Sequence, residues 1–176
     1  NKIKITNTNN TNLSVYGGYT AGAGDSTNNH VTITGTGKVK AAYGGYATAA
    51  NSKAEGNSVT VESGASINGS IYGGYATAAS GTTKNNTVNL GDDTHTDLSG
   101  TTLTASDIYG GNKAATGNTL NVRAKNITAK SADKFENYKF HLNDDIARNG
   151  GSMLTLTENN GFNGGNLFDW TKLDVD

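Results

Sequence analysis

Ser70-Ile71-Tyr72-Gly73-Gly74-Tyr75, followed shortly by Asn85-Asn86-Thr87-Val88-Asn89-Leu90, decides the fold, because both halves recur along the chain in the same order. The first half returns as Val15-Tyr16-Gly17-Gly18-Tyr19, Ala42-Tyr43-Gly44-Gly45-Tyr46 and Ile108-Tyr109-Gly110-Gly111-Asn112. The second returns as Asn29-His30-Val31-Thr32-Ile33, Asn57-Ser58-Val59-Thr60-Val61 and Asn118-Thr119-Leu120-Asn121-Val122. Successive Tyr-Gly-Gly units start 27, 29 and 37 residues apart (16 to 43, 43 to 72, 72 to 109). A period in this range marks stacked copies of one supersecondary unit.

Within each copy the side-chain parity is that of strands. Positions 31 and 33, 59 and 61, 88 and 90, and 120 and 122 are β-branched or Leu, with Thr32, Thr60, Asn89 and Asn121 between them. One face is buried and the other meets water. Val15, Ala42, Ile71 and Ile108 take the inward parity of the other half, which turns Tyr16, Tyr43, Tyr72 and Tyr109 outward. Tyr19, Tyr46 and Tyr75 have inward parity unless the preceding Gly pair turns the chain first, so their direction stays open.

A Gly turn and a third short strand follow each Asn-x-Val unit, as in Gly37-Lys38-Val39-Lys40 and Ala65-Ser66-Ile67-Asn68-Gly69. Two or three strands per coil of about 20 to 30 residues, each pairing in parallel with its equivalent one coil on, make a β-helix. The fold class is therefore all-β: a right-handed parallel β-helix (solenoid) of about five to seven coils. The alternative is a left-handed β-roll of the trimeric-adhesin type, since 28 is close to twice a 14-residue coil. Residues 20 to 28 and 47 to 56 read as surface loops, with helix a weak alternative for the Ala-rich second one. Gly91-Asp92-Asp93-Thr94-His95-Thr96-Asp97 reads as a loop insertion on one edge. At the start, Ile3 and Ile5 face opposite to Lys2 and Lys4, as in the strand of a coil whose beginning was cut away.

Residues 1 to 122 hold the four repeats, and residues 123 to 176 continue the coils with a larger aromatic core. The seven aromatics up to residue 122 are all Tyr, whereas Phe135, Phe140, Phe162, Phe168 and Trp170 appear beyond it with Tyr138. Tyr138, Phe140 and Leu142 alternate as on a strand, as do Leu154 and Leu156, with Asn149-Gly150-Gly151 as a turn between. An atypical capping unit gives the same composition. Continuation is favoured, because Trp170, Leu173 and Val175 close the sequence without a polar cover.

Composition narrows function. Of 176 residues 34% are hydrophobic and 16% charged, which suits a thin, repetitive core and supplies no apolar run long enough for a membrane span. The formal net charge of −1 leaves no basic stripe for phosphates, so nucleic acid is not an expected partner. The absence of Cys removes disulfides and thiol chemistry and is compatible with export through an oxidising periplasm. The chain starts without Met or an apolar leader and reads as a piece of something longer.

Taken together, the Tyr-Gly-Gly-Tyr and Asn-Asn-x-Val-x-Ile repeats, Phe135-Glu136-Asn137-Tyr138-Lys139-Phe140-His141-Leu142 and Gly151-Ser152-Met153-Leu154-Thr155-Leu156 resemble the passenger region of large Gram-negative (type V) autotransporters. The resemblance runs over nearly the whole chain. It implies a right-handed parallel β-helix displayed at the cell surface, with a C-terminal outer-membrane barrel outside this sequence. Many such passengers are adhesins that attach to proteins or glycans of host cells or other bacteria. Others carry a serine protease domain, whose Gly-Asp-Ser-Gly motif is missing, since Gly24-Asp25-Ser26 runs into Thr27 in a loop.

For catalysis the candidates are Asp92, Asp93 and Asp97 with His95, and Asp144 and Asp145 with His141, where carboxylates could hold Ca²⁺ and a His act as base. The first group lacks the spacing of a calcium loop, the only arginines are Arg123 and Arg148, and solvated loop charge is the favoured reading. His30 reads as a surface residue. No catalytic residue, metal ligand or cofactor is assigned.

The binding candidate is the column Tyr16, Tyr43, Tyr72 and Tyr109, which parallel stacking spaces about 4.8 Å apart on the outer face. Such rings suit sugars or partner side chains. Against this stands a purely structural role, each pair adding about 0.5 to 1 kcal/mol of cross-strand contact. The column Asn29, Asn57, Asn86 and Asn118 reads as structural: stacked amides that hydrogen-bond along a turn and tolerate left-handed backbone. The expected function is an adhesin segment acting as a monomer, against a polysaccharide-cleaving β-helix enzyme and a structural stalk.

Overall fold

A computed structural model describes residues 1–114, 116–142, 144–158, 162 and 173–176, with Asp145 and Leu173 as backbone only. Over these residues the chain is a parallel β-solenoid of about five turns. A seven-stranded sheet contains β1 (Lys2–Ile5), β3 (His30–Ile33), β6 (Ser58–Val61), β9 (Thr87–Leu90), β11 (Thr119–Val122), β13 (Asn137–Phe140) and β15 (Leu173–Val175), in that order. A six-stranded sheet contains β2 (Ser14–Thr20), β5 (Ala41–Ala47), β8 (Ile71–Ala76), β10 (Leu103–Gly111), β12 (Ile127–Asp133) and β14 (Leu154–Leu156). The short strands β4 (Lys38–Val39) and β7 (Ser66–Ile67) form a third sheet, which a bridge from Ser66 to Thr102 extends by one coil.

Among the described residues every strand pairing is parallel, and across the first four coils the register follows the repeat; the β10–β12 pairing shifts register between Leu103 and Asp107. His30 pairs with Ser58 and Ser58 with Thr87 on one sheet, and Tyr16 with Tyr43 and Tyr43 with Tyr72 on the other. A strand's neighbour thus lies a whole repeat away, so one repeat makes one coil. That excludes the β-roll alternative, whose coils would need strands paired at half this separation.

The seven-stranded sheet follows its sequence parity. Val31, Ile33, Val59, Val61, Val88, Leu90, Leu120 and Val122 are buried in one continuous core with Val39, Ile67, Ile71, Leu98 and Ile108. Between them Thr60, Asn89 and Asn121 are half-buried and bonded to each other, Asn89 Nδ2 donating to Thr60 Oγ1 (3.0 Å) and Asn121 Nδ2 to Asn89 Oδ1 (3.1 Å). This outer face is itself a polar ladder.

On the six-stranded sheet parity breaks at the Gly pair. In β5 the burial runs buried at Ala42, half-buried at Tyr43, buried at both Gly44 and Gly45, then half-buried again at Tyr46. Two consecutive residues face inward, so the second tyrosine emerges on the same side as the first. Tyr19, Tyr46 and Tyr75 therefore point outward, resolving the direction that parity alone left open.

The glycines are required by what lies beneath them. A methyl on Gly44 would stand 3.0 Å from Asn57 Cβ, and one on Gly45 would run into the Asn57 amide. That amide belongs to a buried ladder. Asn29 N and Nδ2 donate to Asn57 Oδ1 (2.9 and 3.0 Å), Asn57 N and Nδ2 to Asn86 Oδ1 (2.9 and 3.2 Å), and Asn86 N and Nδ2 to Asn118 Oδ1 (2.9 and 3.3 Å). Asn1 adds a further rung on Asn29. Each amide thereby satisfies the backbone of its neighbour where the chain turns between sheets. The left-handed residue is the one before each ladder Asn: Asn28 (φ 54), Gly56 (φ 65), Asn85 (φ 54) and Gly117 (φ 69). The ladder asparagines, which tolerate left-handed backbone, do not themselves adopt it.

Both sheets run on past residue 122. Leu120 pairs with Tyr138, Val122 with Phe140, Ile108 with Ala132 and Ile127 with Leu154. Tyr138 is buried between Phe135 (5.9 Å between centroids) and Phe162 (5.5 Å), taking the place that Val and Leu hold in earlier coils. Leu142 departs from the expected alternation: β13 ends at Phe140, and Leu142 is exposed. Then comes a short helix, α1 (Asp144–Asn149), which the alternating pattern did not announce. The Ala-rich loop at 47–56 is turn and bridge rather than helix. Phe168 and Trp170 lie outside the described residues.

Candidate functional site: a tyrosine band

Seven tyrosines form a double column along the six-stranded sheet. In one column Tyr16, Tyr43, Tyr72 and Tyr109 stack at centroid distances of 5.0, 5.3 and 4.7 Å with interplanar angles of 7°, 3° and 13°. In the other Tyr19, Tyr46 and Tyr75 stack at 5.4 and 5.0 Å. Between the columns the rings meet edge to face, as for Tyr43 and Tyr46 (5.3 Å, 87°) and Tyr72 and Tyr75 (4.9 Å, 86°). The four tyrosines of the sequence reading are thus brought together, along with three more. Parity missed these three; the visible signal was the invariance of Tyr after Gly-Gly in three copies.

Register makes the stack. Each ring sits at the same position of strands a single hydrogen-bonding step apart, so offset-stacked geometry comes without strain. Ring faces inside a column are covered by the neighbouring rings, and the band offers edges and hydroxyls to solvent. Tyr16 is 37% exposed and Tyr19 56%, while the rings further along are half-buried. Burial, reinforced by the adjacent phenols Tyr16, Tyr46 and Tyr75, pushes the Tyr43 hydroxyl up to about 12. Burial likewise raises Tyr72 to about 12, with Tyr109 the next cause. The Tyr43 and Tyr72 hydroxyls at the middle of the band therefore keep their protons well beyond physiological pH.

The carboxylate groups singled out in the sequence disperse. Asp93 pairs with Arg123, and Asp97 accepts from Ser99 N (2.8 Å) and Asn126 Nδ2 (3.0 Å). Asp92 and His95 stay together: Asp92 Oδ1 accepts from Thr94 N (2.8 Å), Thr94 Oγ1 (2.8 Å) and His95 N (2.7 Å), and lies 2.9 Å from His95 Nδ1. Burial works against this carboxylate's charge, but the hydrogen bonds from Thr94 and His95 outweigh it and hold Asp92 at about 2. The sequence reading missed Glu62, which is buried beside this pair. His141 lies between Asn121 Oδ1 (2.7 Å) and Asp176 (2.5 Å), whereas Asp144 faces Arg148 (3.7 Å); the Asp145 side chain lies outside the described residues. His30 is exposed with Nδ1 2.6 Å from Ser58 Oγ.

Among the described residues no helix is long and apolar enough to cross a membrane. Compared with known proteins, the chain matches no family model, no curated protein and no solved structure.

Proposed function

We propose that this chain is a non-enzymatic segment of a bacterial surface adhesin, exported and displayed by a Gram-negative cell, and that the tyrosine band is its contact face. One observation carries the reading: seven phenols held side by side on a rigid sheet, on the outside of a molecule whose other long face is a polar ladder bonded to itself. Aromatic surface with fixed rotamers loses little entropy on contact, and contact energy concentrates on such residues. Ring edges and a row of hydroxyls suit a polyhydroxylated glycan or an extended protein segment lying along the stack. The chain acts as a monomer in this reading, and any outer-membrane barrel belongs to a longer protein.

The double substitution Tyr43→Ser plus Tyr72→Ser interrupts the stack, whereas Tyr→Phe at all seven positions keeps the rings and removes the hydroxyls. Attachment of cells displaying the wild-type segment, and binding of the purified chain on a glycan array, are expected to fall with the Ser pair while the β-rich circular dichroism persists. Normal attachment by a folded Ser variant removes the band as the site. Loss of fold in the Ser pair returns the columns to a structural role, and absence of binding by the folded wild-type segment favours the stalk.

A further inference from the structure

We propose that Glu62, Asp92 and His95 form a site for one divalent cation of the zinc class, which clips the inserted turn to the coil beneath it. Each residue offers a ligand atom, and the three atoms lie within 4.8 Å of one another. Glu62 follows β6, whereas Asp92 and His95 belong to the turn after β9, so the site joins two neighbouring coils that are already tied by Gly91 N donating to the carbonyl of Val61 (2.8 Å).

The independent pointer is Glu62. Its side chain is only 9% exposed, and Oε2 faces the cluster with no hydrogen-bond partner. Lys4 Nζ at 3.7 Å and His95 Nδ1 at 3.9 Å stop beyond hydrogen-bonding reach of Glu62 Oε2. A buried carboxylate oxygen left unbonded is costly, and a cation between the three groups would satisfy it. Lys4, 60% exposed, can swing its ammonium into water on its flexible stem.

Two carboxylates and an imidazole select among cations. Calcium and magnesium prefer oxygen alone, while an imidazole with carboxylates suits zinc and its first-row neighbours. Tetrahedral zinc places ligand atoms about 3.3 Å apart, between the 2.9 Å from His95 Nδ1 to Asp92 Oδ1 and the 3.9 Å from His95 Nδ1 to Glu62 Oε2. Side-chain exposures of 34% for His95 and 37% for Asp92 leave the cluster open to entry on one side and leave room for water as a fourth ligand. The inference is independent of adhesion.

The test is calorimetric titration of ZnCl₂ into the purified, chelator-treated chain, beside Glu62→Gln, His95→Asn and Lys4→Met, with thermal unfolding in the presence and absence of zinc. The wild type is expected to bind one zinc per chain and to unfold at higher temperature with it, without competition from equimolar Ca²⁺ or Mg²⁺. Glu62→Gln and His95→Asn should each weaken binding by at least about tenfold, and Lys4→Met should bind at least as tightly as the wild type. If Glu62→Gln does not fold, His95→Asn decides, because its side chain is partly exposed. No binding by the wild type, or undiminished binding by His95→Asn, overturns the site and leaves Glu62 as the ion-pair partner of Lys4.

Discussion

An alanine at Gly45 would press its methyl into the Asn57 amide, whereas one at Gly22 would meet nothing within 4 Å. The first substitution should cost about 1 to 3 kcal/mol, as overpacking does, and the second should stay within about 0.5 kcal/mol; urea unfolding of the pair measures the difference. Asn57→Ala removes the acceptor of two Asn29 donors and leaves the backbone N–H of Asn29, at the turn of the preceding coil, unbonded, for about 1 to 3 kcal/mol or more. The phenols give a pH signature. Tyr43 and Tyr72 hold their protons to about 12 in the folded state, against 10.0 for the free group. The folded chain therefore binds more protons than the unfolded one between these values, and stability is full below pH 10 and declines as pH rises through 12. Tyrosinate difference spectroscopy should find these two groups among the last to ionise, coincident with alkaline unfolding. At this scale the Asn column was legible because an amide repeats at one position. Which of two adjacent asparagines, Asn28 or Asn29, takes the left-handed turn was not, since both tolerate it.

The strands β2, β5 and β8 show what alternation can and cannot reveal. Their apolar residues fixed one face, yet two side-chain-free residues in a row let the backbone keep both facing inward and return Tyr19, Tyr46 and Tyr75 to the outside. A period-2 count carries no information across such a pair. The inserted turn after β9 was legible as an insertion from the longer gap before Tyr109, but Glu62 was not legible as buried, because its cover is supplied by that turn from one coil on. Asp92 predicts how the turn responds to acid. Its carboxyl is lowered from 3.8 to about 2, so its contribution is present above pH 3.8 and is lost as pH falls through 2. Amide exchange of Thr94 and His95 should quicken over that window before the strands exchange; unchanged protection would show that Asp92 does not hold the turn.

Over the described residues one hydrophobic core runs through successive coils, and its stability is a sum over coils and their interfaces rather than the property of one packed centre. That explains why a sequence of modest hydrophobicity sufficed to read the fold: each coil repeats the same few inward residues, and register does the rest. Beyond residue 122 repetition fades, and with it legibility, since Tyr138 enters the core and α1 interrupts the strands where no earlier coil supplies a template. Removal of a single coil tests the architecture most directly. Deleting residues 43–71 joins Ala42 to Tyr72, and Ala42 already occupies the register position of Ile71. The shortened chain should place Tyr16 on Tyr72 and Asn29 on Asn86, unfold cooperatively at a lower denaturant midpoint, and keep the β-sheet circular dichroism per residue of the parent. A deletion of half that length should not fold. If the full-coil deletion is unfolded or aggregated, or the half-coil deletion folds equally well, the repeat is not the unit of structure and the account fails.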